Sequence, residues 1–357
     1  MVRSSLVLED GTILKGVAFG EDKDVFGEVV FYTGMTGYQE LLSDPASAGQ
    51  IVVAAHPLVG NSGAGPAFMQ SDAIHAAGLI VREWSRHPSL MYGGGTIDAL
   101  LRDEGVPGIE EIDTRDLVIQ IREGGSMRGA ITGRDDLDAV LEELRRSPYP
   151  HEGDLVSSRS PRGIRELGGK GPRVGLLDYG CRRELVRQLS SRFELMGLPH
   201  DIKAREAMDL GLDGIVASSG PGDPAHSSLK GAVKTLGELA HELPTMAIGL
   251  GSQMLALAFG GETRRMHFGH RGANQPVRHE GRIVMTSQHH GFEVVEESLQ
   301  DSELIPDQFN IHDGSVEGAS HAKLPIISVQ YHPEASPGPR DSSYLFDRFL
   351  ALLEGRA

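Results

Sequence analysis

A chain of 357 residues, 39% hydrophobic and 24% charged, is long enough for two domains and apolar enough to bury a core in each. A formal net charge of -16 leaves no basic face to neutralise phosphates, which excludes a general nucleic-acid binder. A single cysteine, Cys181, excludes an intrachain disulfide and a Cys-rich metal site.

The first residues, Met1 to Asp10, hold no long apolar core, so no signal peptide is expected. No apolar run approaches the roughly 20 residues of a membrane span, and a cytoplasmic protein is expected. Residues 5–8 and 12–17 flank Asp10-Gly11, a pair suited to the positive φ angles of a tight turn, and read as a hairpin. Residues 27–32 and 50–55 read as further strands. Leu137, Val140, Leu141 and Leu144 recur at helical spacing and predict a helix over 135–146. Residues 157–171, rich in Ser, Arg, Gly and Pro, show no apolar period and read as connecting chain. These readings divide the chain into a strand-rich N-terminal domain over 1–155, a linker over 156–171 and a second domain over 172–357.

From Pro172 the pattern changes to strands alternating with helices. Strands are predicted at 174–177, 214–217, 245–250, 283–287 and 326–330. Helices are predicted around Leu185, Val186 and Leu189, over 229–239, from about Gln253, and over 344–353. That alternation implies an α/β, doubly wound, mostly parallel sheet. Functional residues of such sheets gather at the carboxyl ends of the strands, here 178–180, 219–224, 249–253 and 332–334.

Two of those loops carry chemistry. Ala247-Ile248-Gly249-Leu250-Gly251-Ser252-Gln253 has the small-residue composition of a nucleophile elbow, where a sharp turn lifts one side chain beside the N–H groups of a helix start. Read alone, the segment is more simply a plain tight strand-to-helix turn. His332-Pro333-Glu334, after an apolar strand, supplies a base and a carboxylate to orient it.

Together with Gly220-Pro221-Gly222-Asp223-Pro224, these segments resemble, in order, those of class I glutamine amidotransferases. Longer strings narrow the resemblance. Phe268 through Val277 (FGHRGANQPV), Gln288-His289-His290-Gly291-Phe292 and His332 through Pro339 resemble the carbamoyl phosphate synthetase small-subunit family. So do Gly27-Glu28-Val29-Val30-Phe31, Met35-Thr36-Gly37-Tyr38-Gln39-Glu40 and Ile112-Asp113-Thr114-Arg115 in the N-terminal half. The resemblance covers nearly the whole chain.

It implies a class I amidotransferase-like C-terminal domain that hydrolyses glutamine through a cysteine thiolate, with His332 as base and acid and Glu334 orienting it. It also implies a large-subunit partner that turns the ammonia into carbamoyl phosphate for arginine or pyrimidine synthesis. The resemblance places Gly34, Gly220, Gly222, Leu250, Gln253, His289, Gly291 and Phe292 around glutamine. Four positions depart from the family's pattern. Gly249 stands where the nucleophilic cysteine belongs, Ser252 where it has a histidine, Gly34 where it has a serine, and His289 where it has an asparagine. Glycine has no side chain to attack an amide, so a non-catalytic subunit that binds glutamine weakly is expected. The glycines and prolines of the other segments hold turns whether or not chemistry survives.

Two further readings stand beside this one: an active subunit using Cys181 or Ser252 as substitute nucleophile, and a binding module that senses glutamine or another amide. For Cys181 a small packing role is expected, and for Ser252 a helix-cap hydrogen bond. His267, His270, His289, His290, His312 and His332 have no carboxylate or cysteine at ligand spacing, so no metal and no cofactor are expected.

Overall fold

The computed structural model describes residues 3–90 and 93–355. Met1 and Val2, at the head of the N-terminal stretch read above, lie outside that range. The chain divides into two units, Met1–Gly153 and Asp154–Ala357.

The N-terminal unit is a closed seven-stranded barrel of β1 (Arg3–Leu8), β2 (Ile13–Gly20), β3 (Val25–Tyr32), β4 (Gln50–Ala54), β6 (Gly78–Ile80), β8 (Pro107–Glu110) and β9 (Met127–Thr132). A small pair, β5 (Leu58–Val59) with β7 (Glu83–Trp84), stands apart from it. The expected hairpin is β1–β2. Gly11 sits at φ +99° and Asp10 accepts from the N–H of Thr12, 2.8 Å away, so the pair shapes the turn in both its residues. The barrel runs β1-β2-β8-β6-β4-β3-β9 and closes by pairing β9 with β1, which leaves no open edge. Short helices α1 (Tyr38–Leu42) and α2 (Ile97–Asp103) add Leu41, Leu42, Ile97 and Leu101 to a core with Val30, Val52 and Leu79. Helix α3 (Thr114–Gly124) is capped by Asp113, and α4 (Leu137–Arg146) by Asp136. In α4, Val140 and Leu144, four residues apart, pack on Val7 of β1 and Ala130 of β9.

The C-terminal unit holds one ten-stranded sheet. Its strands are β10 (Arg165–Gly168), β11 (Arg173–Asp178), β12 (Glu194–Pro199), β13 (Gly214–Ala217), β14 (Thr245–Ile248), β15 (Thr263–His279), β16 (Arg282–Val294), β17 (Leu304–Asn310), β18 (Val316–His321) and β19 (Ile326–Val329). The order is β10-β12-β11-β13-β14-β19-β18-β16-β15-β17. Only β12, β11, β13, β14 and β19 are mutually parallel. The other five strands pair antiparallel, and β17 bonds to both β15 and β18, so that half curls back on itself. The expected mostly parallel sheet is therefore half antiparallel. Helices α5 (Arg183–Ser190), α6 (Ala204–Met208), α7 (Lys230–Glu242), α8 (Leu250–Ala258) and α9 (Tyr344–Leu353) complete the unit.

Two apolar cores separate on the faces of the parallel strands. Leu177, Ile215, Ala217 and Ala247 pack with Leu236 and Leu239 of α7 and Met254 and Leu255 of α8. Leu176, Val216, Met246 and Ile248 pack with Leu185 and Leu189 of α5 and Phe346 and Phe349 of α9. Alternate residues of each strand point to opposite faces, so both faces are buried, as a doubly wound sheet requires. The predicted linker contains β10, an edge strand paired only to β12. Its residues are largely exposed, and an edge strand needs no apolar alternation.

Candidate functional site

The loops ending β11, β13, β14 and β19 lie together at the carboxyl edge of the parallel strands. Gly249 joins β14 to α8 at φ +57°, ψ -116°, a conformation closed to ordinary L-residues without strain. Its N–H donates to Val329 O (2.9 Å), and Gly251 N–H donates to Ser218 O (3.0 Å), so neighbouring strands hold the turn on both sides. Helix α8 starts at Leu250, earlier than the expected Gln253. Gly249 is its N-cap and supplies no side-chain cap, so the usual helix-start signal is missing from the sequence. The site thus has the strained strand–turn–helix form of a nucleophile elbow, with glycine at its apex.

A Cβ added at Gly249 would meet Ser219 Cβ at 3.1 Å and Gln330 O at 3.8 Å. Gln330 precedes His332 by two residues. The His332 N–H donates to Ser287 O (2.9 Å), which fastens the end of β19 to β16. His332 Nδ1 lies 2.9 Å from Glu334 Oε1, and both side chains are buried. A carboxylate at Nδ1 fixes the imidazole with Nε2 available for proton transfer. The loop beyond turns through Ala335 (φ +59°) and Ser336 (φ +56°), and Arg182 Nη1 donates to the carbonyls of Ala335 (3.3 Å) and Ser336 (3.5 Å). Arg182 is almost fully buried, a position its guanidinium holds by capping carbonyls beside the dyad. Sequence reasoning passed over it, because an arginine after a strand reads as surface.

The positions expected to surround glutamine divide by unit. Gly220 packs so closely that a Cβ there would lie 2.4 Å from Tyr179 O and 3.0 Å from Leu250 Cδ2. Gly222 takes φ +91°. Leu250 and His289 are buried, and Gly291 faces the Arg271 guanidinium. Gln253 Nε2 donates to Phe292 O (2.7 Å) and to Gln330 Oε1 (3.0 Å), which ties α8 to β16 and to the residue after β19. That side chain braces the site from behind. Gly34 belongs to the N-terminal unit, where a Cβ would lie 2.3 Å from the Tyr32 ring.

Two family models match the chain. One, described as the carbamoyl-phosphate synthase small chain CPSase domain, covers residues 6–131; the other, glutamine amidotransferase class-I, covers residues 176–352. The pyrimidine-specific small chain of carbamoyl phosphate synthase from Halalkalibacterium halodurans is 43% identical over 99% of this chain and 98% of its own. The small chain from Methanopyrus kandleri is 42% identical over 98% of this chain and 99% of its own. The pyrimidine-specific small chain from Bacillus subtilis is 40% identical over 99% and 96%. The chain belongs to the carbamoyl phosphate synthase small-chain family. The boundaries of the two matched regions fall within the barrel unit and the sheet unit, so each domain of the family has its own fold here.

The two candidate substitute nucleophiles differ in their surroundings. Ser252 Oγ lies 2.8 Å from Ser328 Oγ in the interior, which corrects the expected helix cap: the hydroxyl bonds across to β19 rather than to its own helix end. Cys181 packs at the margin of the core below β11. Burial pushes its thiol well above the ordinary range, and the carboxylates of Asp178 and Glu334 push it further. A thiol held protonated is a poor nucleophile. Iodoacetamide at neutral pH should therefore label Cys181 much more slowly in the folded protein than in denaturant, with no effect of glutamine or of His332→Ala. Fast labelling that glutamine suppresses, read by mass spectrometry, would make Cys181 a site residue.

Beside the dyad lies a second polar cluster. His270 on β15 bonds Asp313 through Nε2 (2.9 Å) and Glu317 through Nδ1 (3.1 Å). Burial opposes its charge, but these two carboxylates outweigh it and raise its pKa to about 9. Burial raises the Glu317 carboxyl, with the bond to His270 acting in the other sense. Burial also lowers His290 well below the usual imidazole range, with charge on His270 adding to it. Glu317 was absent from the sequence reading, which found no carboxylate at ligand spacing. It is 47 residues from His270 in the chain, and only the curl of β15, β16 and β18 brings the two together.

Proposed function

We propose that this chain is a non-catalytic small subunit of a carbamoyl phosphate synthase. It docks on a large subunit and leaves that enzyme to draw on free ammonia for arginine or pyrimidine synthesis. The observation that carries the reading is glycine at the apex of the elbow. The family's chemistry needs a thiolate there, and Gly249 offers no atom beyond its backbone. The rest of the machinery persists around it: a strained turn, a helix N-terminus, and a buried His332–Glu334 pair at 2.9 Å. Its persistence fits a role in which the shape of the subunit is kept and its turnover is not. The barrel carries the family's N-terminal strings, which have no part in glutamine hydrolysis, and is assigned much of the contact with the large subunit.

Co-expressed with a large subunit from the same source, the chain should elute from size exclusion as one complex at micromolar concentration. Alone, it should hydrolyse glutamine no faster than its own His332→Ala variant. Separate elution would remove the docking role. Turnover that depends on His332 and disappears in Cys181→Ala or Ser252→Ala would remove the non-catalytic one.

A further inference from the structure

Three buried ligand atoms, His270 Nδ1 on β15, His290 Nε2 on β16 and Glu317 Oε1 on β18, lie within 4.8 Å of one another. Their hydrogen bonding leaves demands unmet at His290 Nε2 and at Glu317 Oε2. A carbonyl cannot donate, so His290 Nδ1 carries the proton in its 2.9 Å bond to Phe292 O. The Nε2 of a neutral His290 is then a lone pair. It faces two more acceptors, Gln288 Oε1 at 3.2 Å and Glu317 Oε1 at 3.9 Å. Turning the Gln288 amide over meets that lone pair only by breaking another bond. Its Nε2 donates to Thr286 Oγ1 (3.1 Å), and the one proton of that hydroxyl goes to Gln275 O (2.8 Å). A reversed amide requires the hydroxyl to turn and release Gln275 O. Glu317 adds a second unmet demand, because its Oε2 is buried with no hydrogen-bond partner.

The surroundings are those of a metal's outer shell. Ligating imidazoles give their other nitrogen to a carboxylate or a backbone carbonyl. His270 Nε2 has Asp313, and His290 Nδ1 has Phe292 O. Asn310 Nδ2 donates to Glu317 Oε1 at 3.2 Å and lies 3.4 Å from His270 Nδ1. Ligands about 2.0–2.1 Å from a tetrahedral ion stand about 3.3–3.4 Å apart. Three of the six separations lie near that value: 3.1 Å for His270–Glu317, 3.2 Å for His290–Gln288 and 3.9 Å for His290–Glu317. Asp313, the outer partner of His270, also lines a surface cleft with Arg264, His267, Phe268 and Ser315.

We propose that His270, His290 and Glu317, completed by the side-chain oxygen of Gln288, form a structural site for a divalent first-row cation, with zinc the best match to two imidazoles and two oxygens. The ion would pin β15, β16 and β18 to one another beside β19, whose end presents His332. Binding would displace the proton that His270 Nδ1 holds toward Glu317 in the metal-free chain, and the charge of the ion would then be met by Glu317 and Asp313. The site takes no part in the reaction and holds the sheet that frames it.

The test uses the full chain, purified without chelator and passed into metal-free buffer. Elemental analysis should find one zinc per chain, and competition with a chromophoric chelator should show tight binding. Glu317→Gln and His290→Gln should each weaken zinc at least ~100-fold, beyond the 10–100-fold that outer-shell changes cause, while His312→Ala should leave it unchanged. Cobalt added to the unsubstituted chain after metal removal should give the intense visible bands of four-coordinate cobalt. This decides the matter even where a variant fails to fold. No stoichiometric zinc and no such bands, or zinc unaffected by both substitutions, would overturn the site.

Discussion

With ammonium chloride as nitrogen source, the purified complex of this chain and a large subunit should make carbamoyl phosphate at a saturable rate. With glutamine alone it should make almost none. The expected contrast is large because, on the function proposed above, the absent group is the nucleophile itself. Removing a covalent nucleophile from a hydrolase costs on the order of a million-fold in turnover, and what survives comes from binding and oxyanion contacts. His332 and Glu334 cannot make up that loss. A base positions a proton transfer, but an unactivated amide still needs an attacking atom. Steady-state kinetics with each nitrogen donor measure the contrast directly. Comparable kcat/KM for the two donors, with ammonia scavengers present, would mean that an attacking group exists in the chain.

The same glycine shows how much of this protein was legible in its residues. The Asp10-Gly11 hairpin, four of the five parallel strands (β12 is the exception) and the His332-Pro333-Glu334 segment follow from local signals: turn chemistry, apolar runs and spacing of two. The antiparallel half did not. Strand β15 spans Thr263–His279 but is interrupted by irregularities between Arg265 and His270 and between Gly272 and Gln275, which reset the alternation that marks a strand. Strand β10 reads as connecting chain because an exposed edge carries no apolar face. The start of α8 was misplaced because tertiary bonds, from Gly249 to Val329 and from Gly251 to Ser218, replace the side-chain cap. Glu317 was missed because its meaning comes from residues far away in the chain. Local chemistry gave the site's parts, and long-range pairing gave their neighbours.

Restoring the thiol tests whether the pocket has decayed only at its apex. Gly249→Cys should yield a protein that reacts covalently with a glutamine-like chloroketone, in a manner that depends on His332, yet turns over glutamine poorly. The helix N-terminus of α8 favours the thiolate, and an imidazole within reach would add to it. Two effects oppose turnover. At φ +57° and ψ -116° a Cβ is strained by about 1–3 kcal/mol, and here it also presses on Ser219 Cβ at 3.1 Å, so that strand end must yield by a few tenths of an ångström. A misplacement of about 1 Å in the attacking group then costs roughly a hundredfold. Gly249→Ala carries the same strain without the thiol and separates the two effects: both variants should lose similar stability in denaturant, and only the cysteine should react. Adding Ser252→His and His289→Asn should raise turnover above the single change, though not without expense in stability. An imidazole at 252 must displace the buried contact with Ser328 Oγ. If the threefold variant folds and binds glutamine while its thiol remains inert to the chloroketone, Gly249 is not the apex of the site.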